Sequence, residues 1–137
     1  MNAASDPLAV EVVRSDLVES THLVDVAVCD TAGNLTASAG DPGVVAYLRS
    51  SAKPIQATVC LEAGWRPSSD RHIAIACGSH NGEPEHLAAT RSILADAGLG
   101  DDALRCPPAR PLGAGSADAP APICHNCSGK HAAMLAT

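Results

Sequence analysis

Residues 49–64 read RSSAKPIQATVCLEAG, and within them the chain changes period. Ala52, Ile55, Val59, Cys60 and Ala63 recur at helical spacing, and Gly64 is placed to end the helix as its C′ residue. Proline is tolerated only in a first turn, where backbone N–H groups lack partners, so Pro54 puts the helix start at Ser50 or Ser51. One tension accompanies that assignment: a residue before proline is biased away from the α region, and here it is Lys53.

On the N-terminal side of this helix the pattern is that of a sheet. Val10, Val12 and Val13, then Val24, Val26 and Val28, are β-branched and partly alternating. Asp30-Thr31-Ala32-Gly33-Asn34 carries turn chemistry, and Leu35 to Ala39 return as the hairpin partner before Asp41-Pro42-Gly43 breaks the sheet.

On the C-terminal side the pattern stays helical. Ser69-Asp70 followed by Ile73, Ala76 and Cys77 suits a short capped helix, although Ile73 to Cys77 also alternate like a strand; the helix is favoured. Gly82-Glu83-Pro84-Glu85 supply a first turn, and Leu87, Ile93, Leu94 and Ala97 line one face until Gly98. Residues 107–122 are rich in Pro, Ala and Gly without periodicity and read as a long loop. From Lys130 a helix-forming run stops at Thr137 without a cap, which predicts a chain cut within an element.

The bulk numbers bound the class. A length of 137 residues, 46% hydrophobic and 18% charged, fits one globular domain. Two aromatic residues in all leave the core to Val, Leu, Ile and Ala. A net charge of −6 with no basic stripe argues against nucleic acid. No window approaches the roughly 20 apolar residues of a membrane span, and the N-terminus does not read as a secretory signal. A cytoplasmic chain with no membrane partner is therefore expected, its six cysteines free or metal-bound.

Three short stretches carry chemistry. Ser50-Ser51-Ala52-Lys53 is an SxxK pattern: a lysine three residues after a serine lies on the same helical face, where its desolvated amine can activate the hydroxyl. The same residues fit a helix-capping serine beside a solvated lysine equally well. Cys77-Gly78-Ser79-His80-Asn81-Gly82-Glu83 sets a serine, an imidazole and an amide in a tight turn before a helix, a place for an oxyanion, or a simple Asn-Gly turn. Cys124-His125-Asn126-Cys127-Ser128-Gly129-Lys130-His131 packs two thiols, two imidazoles and a lysine into eight residues. A CxxC zinc knuckle lacks a second pair nearby, with Cys106 the nearest spare thiol. A P-loop lacks its upstream glycine and its Ser or Thr.

Together YLRSSAKPIQ (47–56), ACGSHNGEPEH (76–86) and HNCSGKHAAML (125–135) resemble the bacterial L-asparaginase II family of the rhizobial type. The resemblance implies a fold similar to serine β-lactamases and glutaminases, of which this chain would be the N-terminal half: a β-hairpin followed by helices, α+β in class. It implies hydrolysis of L-asparagine to L-aspartate and ammonia by two serine–lysine tandems. Ser50 and Lys53 match the first tandem and Ser79 the serine of the second, whose lysine would lie beyond Thr137. Ser50 is placed slightly ahead of Ser79 as nucleophile. Arg49, His80, Gly82 and Glu83, beside these serines, are the expected substrate contacts. The family's zinc site, tuned to substrate binding, matches Cys127 and Lys130, with a third thiolate again beyond Thr137; the role of Cys124 stays open.

On this reading residues 1–137 are part of one domain, of low or no activity alone and a homodimer when complete. Two other readings stand beside it. One is a serine acyl hydrolase directed at β-lactams or glutamine, since Ser50/Lys53 and Ser79-His80-Asn81 superficially match SxxK and SxN. The other is a non-catalytic zinc module built on Cys124, Cys127 and Lys130, with Cys106 or a histidine as a further donor.

Overall fold

The computed structural model describes residues 6–112 and 119–137, in two units divided between Tyr47 and Leu48. The first is all strand. β1 (Leu8–Arg14) pairs antiparallel with β2 (Leu17–Val24), and β3 (Val26–Cys29) with β4 (Leu35–Ala39). The β3–β4 turn forms as its residues dictate: Asp30 Oδ1 accepts the Ala32 and Asn34 N–H groups at 2.9 and 2.8 Å, and Gly33 takes φ +85°. The first hairpin is one the sequence concealed. Its turn is Ser15-Asp16, both at positive φ without the usual Gly or Asn. Each ribbon has two strands and covers neither face, so Leu8, Val10, Val12, Val13, Leu17 and Leu23 remain exposed within this unit.

The second unit is helical. A 3-10 turn (Arg49–Ala52) runs into α1 (Lys53–Ala63); α2 (Asp70–Cys77), α3 (Pro84–Asp96) and α4 (Ser128–Leu135) follow, with short 3-10 turns at Asp101–Ala103 and Pro122–Cys124. The expected start near Ser50 is thus met by a 3-10 turn, with Pro54 in the first turn of α1. The strand alternative for residues 73–77 does not form. α4 begins at Ser128, two residues before the expected Lys130, with Cys127 at its N-cap. The loop expected over 107–122 contains one antiparallel bridge, Ala109 to Ala121, and residues 113–118 of it lie outside the described residues.

α3 buries Ile93 and Leu94 as its apolar pattern selects, whereas α1 and α2 turn inward faces that only partly overlap the expected ones, sharing Cys60 and Ala76 with them. In α1 the buried stripe is Lys53, Ala57 and Cys60, while Ile55 and Val59 are 60% and 56% exposed. In α2 it is His72, Ile75 and Ala76, with Ile73 outside. The reason is close packing on α4, which rests on α1, α2 and α3 through Gly129, Ala132 and Ala133. Small residues let the backbones approach: a Cβ on Gly129 would stand 2.5 Å from the Ile75 carbonyl oxygen. Ile93, Leu94, Leu104, Ile123 and Trp65 complete this core.

Candidate active site

Lys53 heads the buried stripe of α1, and that placement builds the site. The side chain is 2% exposed, its stem running through the core to an amine held by three oxygens. Nζ lies 2.6 Å from Ser79 Oγ, 2.9 Å from the Gly78 carbonyl and 3.3 Å from the Asn126 carbonyl. Among the described residues no carboxylate lies within ion-pair distance of it. The two carbonyls are acceptors only and must receive N–H bonds. The third direction faces a hydroxyl, which can accept from an ammonium or donate to a neutral amine. One proton therefore separates a resting lysine from a base on Ser79.

The hydroxyl that Lys53 bonds is Ser79, not Ser50, the partner that SxxK spacing suggests. Ser50 is exposed on the 3-10 turn, and none of the three Lys53 bonds goes to it. Arg49, also exposed, adopts φ +51°.

Ser79 opens on a cavity of about 500 Å³ between α2 and α3, lined also by Arg71, His80, Glu85 and His86. Arg71, the residue before His72 in α2, has no motif to announce it; His86, the third residue of α3, closes the ACGSHNGEPEH stretch but was given no role there. Glu83 caps α3 in a capping box with His86, whose Nδ1 accepts the Glu83 N–H at 3.3 Å. Gly82 is required by its backbone: φ is +78°, and a Cβ would stand 3.0 Å from Pro111 Cα.

His80 is 4% exposed and stacks on His86 with ring centroids 5.5 Å apart. Burial, then the positive charges of His86, Lys53 and His125, push its pKa down to about 4. Its ring contacts Ser128 Oγ through Nε2 at 2.9 Å and the Gly82 N–H through Nδ1 at 3.1 Å.

The thiol-rich segment lies at the start of α4. Cys127 is half-buried with Sγ 3.4 Å from Asn126 Oδ1, and Lys130 follows one turn later, so the two expected zinc donors share a first turn. Cys106 is close enough to both to feel their charges, but burial pushes its pKa up and its Sγ–H donates to the Pro122 carbonyl at 3.1 Å. Among the described residues no three His, Cys, Asp or Glu side chains come together as a metal-holding group. The start of α4 thus offers two donors of mixed type, the Cys127 thiol and the Lys130 amine.

No helix among the described residues is long and apolar enough to cross a membrane. Comparison with curated protein sequences returns no match. The family model of L-asparaginase II, by contrast, matches residues 10–137, a span that includes Lys53, Ser79, His80 and the α4 turn, and the chain belongs to that family.

Proposed function

We propose that this chain carries the serine–lysine centre of an amidohydrolase acting on L-asparagine. The supporting observation is the 2.6 Å contact between the buried Lys53 amine and the exposed Ser79 hydroxyl at the edge of a cavity. In its neutral form the amine gives both N–H bonds to Gly78 and Asn126 and aims its lone pair at Ser79. Ser79 Oγ then attacks the side-chain amide carbon while its proton passes to Lys53. The tetrahedral intermediate expels ammonia, which takes that proton, and an aspartyl ester remains on Ser79. Water attacks the ester as Lys53 again removes a proton, and aspartate leaves with Ser79 regenerated.

This geometry moves the preferred nucleophile from Ser50 to Ser79, and leaves Ser50 and Arg49 as exposed residues of the 3-10 turn. Gly82 and Glu83 shape its far side by setting the start of α3. The fold reading is the serine β-lactamase-like one, in a cytoplasmic homodimer. When bound, zinc would supply positive charge toward a carboxylate or carbonyl of the substrate, held by Cys127, Lys130 and a further thiolate. The native protein should lose ammonia release from asparagine by at least about 10³-fold in Ser79→Ala. Full turnover in Ser79→Ala, with loss in Ser50→Ala, would return the nucleophile to Ser50. Loading with zinc should slow alkylation of Cys127; an unchanged rate would remove that thiol from the metal site.

A further inference from the structure

His80 follows Ser79 directly, yet every polar atom of its ring is engaged inside the protein. Ser128 Oγ lies 2.8 Å from the Ile123 carbonyl, which can only accept, so the serine donates there. It follows that Ser128 accepts the other bond, at 2.9 Å, and His80 Nε2 carries the proton. Nδ1 must then be the bare nitrogen, and it does accept the Gly82 N–H at 3.1 Å. One tautomer, the neutral Nε2–H form, satisfies all three contacts. A protonated ring would set an N–H on Nδ1 against the N–H of Gly82.

The ring therefore has no polar atom left for a substrate, and what it does is join two segments. One is the Gly78–Gly82 loop that carries Ser79; the other is the start of α4, where Ser128 is 0% exposed. A backbone bond from His80 N–H to the Asn126 carbonyl, 3.3 Å, runs alongside. The same two segments supply the carbonyls of Gly78 and Asn126 that grip the Lys53 amine. The separation of loop and helix thus fixes where the amine sits relative to Ser79 Oγ.

We propose that His80 and Ser128 are positioning residues: their side-chain bond sets the spacing between the Ser79 loop and α4, and through it the alignment of Lys53 on Ser79. The catalytic part of this inference rests on the amidohydrolase reading above; the geometric part does not.

Two substitutions separate the ring's two bonds. A glutamine amide reaches the position of Nε2 and can keep the bond to Ser128; an asparagine amide reaches only Nδ1 and keeps the bond to Gly82. The reactivity of Ser79 is read without asparagine by a fluorophosphonate probe, with the labelled residue mapped by mass spectrometry. Ser128→Ala and His80→Asn should each slow labelling of Ser79 by on the order of 10–100-fold, and His80→Gln should restore most of it. With asparagine as substrate the same losses should fall on kcat with KM little changed, whereas a ring that touched substrate would raise KM. Labelling of Ser128→Ala and His80→Asn at the wild-type rate overturns the proposal, as does a wild-type protein whose Ser79 is inert. Should the variants fail to fold, nitrogen NMR of the wild-type imidazole decides: a proton on Nδ1 at neutral pH overturns the proposal, and a bare Nδ1 with a protonated Nε2 upholds it. Labelling at Ser79 without ammonia release would refute the asparaginase reading and leave the positioning pair standing.

Discussion

Lys53 and Ser79 are 26 residues apart in the chain and 2.6 Å apart at Nζ and Oγ, the lysine buried and the serine open to solvent. On the serine–lysine reading proposed above, protons would move inward from the serine, and the reactive oxygen would face the cavity.

That reading makes the amine, rather than positive charge as such, the functional group. Lys53→Met keeps the length of the stem and removes the amine, and should lower ammonia release by on the order of 10²–10⁴-fold. Lys53→Arg should not rescue it, because a guanidinium stays protonated and has no lone pair to offer. Initial rates of ammonia release check both, and an active arginine variant would show that the residue acts as a donor only.

The closeness of α4 to α2 gives a stability prediction. Gly129→Ala would place a methyl 2.5 Å from the Ile75 backbone oxygen, a contact that no rotamer change relieves. Overpacking of this kind costs about 1–3 kcal/mol. Urea denaturation should show the midpoint falling with the slope unchanged.

Gly82→Ala tests the loop on its own terms. The left-handed backbone at φ +78° costs an alanine about 1–2 kcal/mol, and the added Cβ also presses on Pro111. The shift moves the N–H that His80 Nδ1 accepts, so Ser79 reactivity should fall together with the melting temperature. A variant that loses stability but keeps full labelling of Ser79 would separate the two.

Acid should weaken the fold through His80. The unfolded imidazole takes up a proton near its ordinary 6.5 and the folded one only near 4, so between these values the unfolded chain binds more protons. Stability therefore falls as pH drops through that window and is unaffected by this group above it. Burial lowers the pKa of His131 too, and its contribution has the same sign. Denaturation midpoints measured from pH 7 to pH 4 should decline, and His80→Gln should flatten part of the decline.

Much of the fold could be read directly from sequence. Pro54, Gly64, Ser69, Pro84 and Gly98 punctuate the helices where local chemistry requires, and Asp30 to Asn34 form their turn from their own side chains. The face of α3 was legible too, with Ile93 and Leu94 buried; in α1 and α2 the inward face was only partly so. Apolar periodicity nominated Ile55, Val59 and Ile73, but the bundle closes on alanines and one glycine of α4, and only a small-residue stripe permits that approach. Lys53, Ala57 and Cys60 are such a stripe, and a lysine at its head argues against burial on every hydrophobicity scale. Of the residues the motifs named, Lys53, Ser79, His80, Gly82 and Glu83 gather in the helical unit around the Ser79 loop. The motifs missed the pairing, because SxxK spacing speaks only of neighbours within one helix. Ser128 was noticed for its place before Lys130, and its bond to His80 needs the third dimension.

The three oxygens around the Lys53 amine come from the end of α2 and from the segment just before α4, stretches far apart in the chain. Until α4 has docked, the amine is an ordinary hydrated lysine and Ser79 an ordinary alcohol. Reactivity of Ser79 is consequently a gauge of assembly: a labelling reagent that finds this serine counts only molecules whose last helix is in place. Heat or acid that undocks α4 should silence labelling of Ser79 with it.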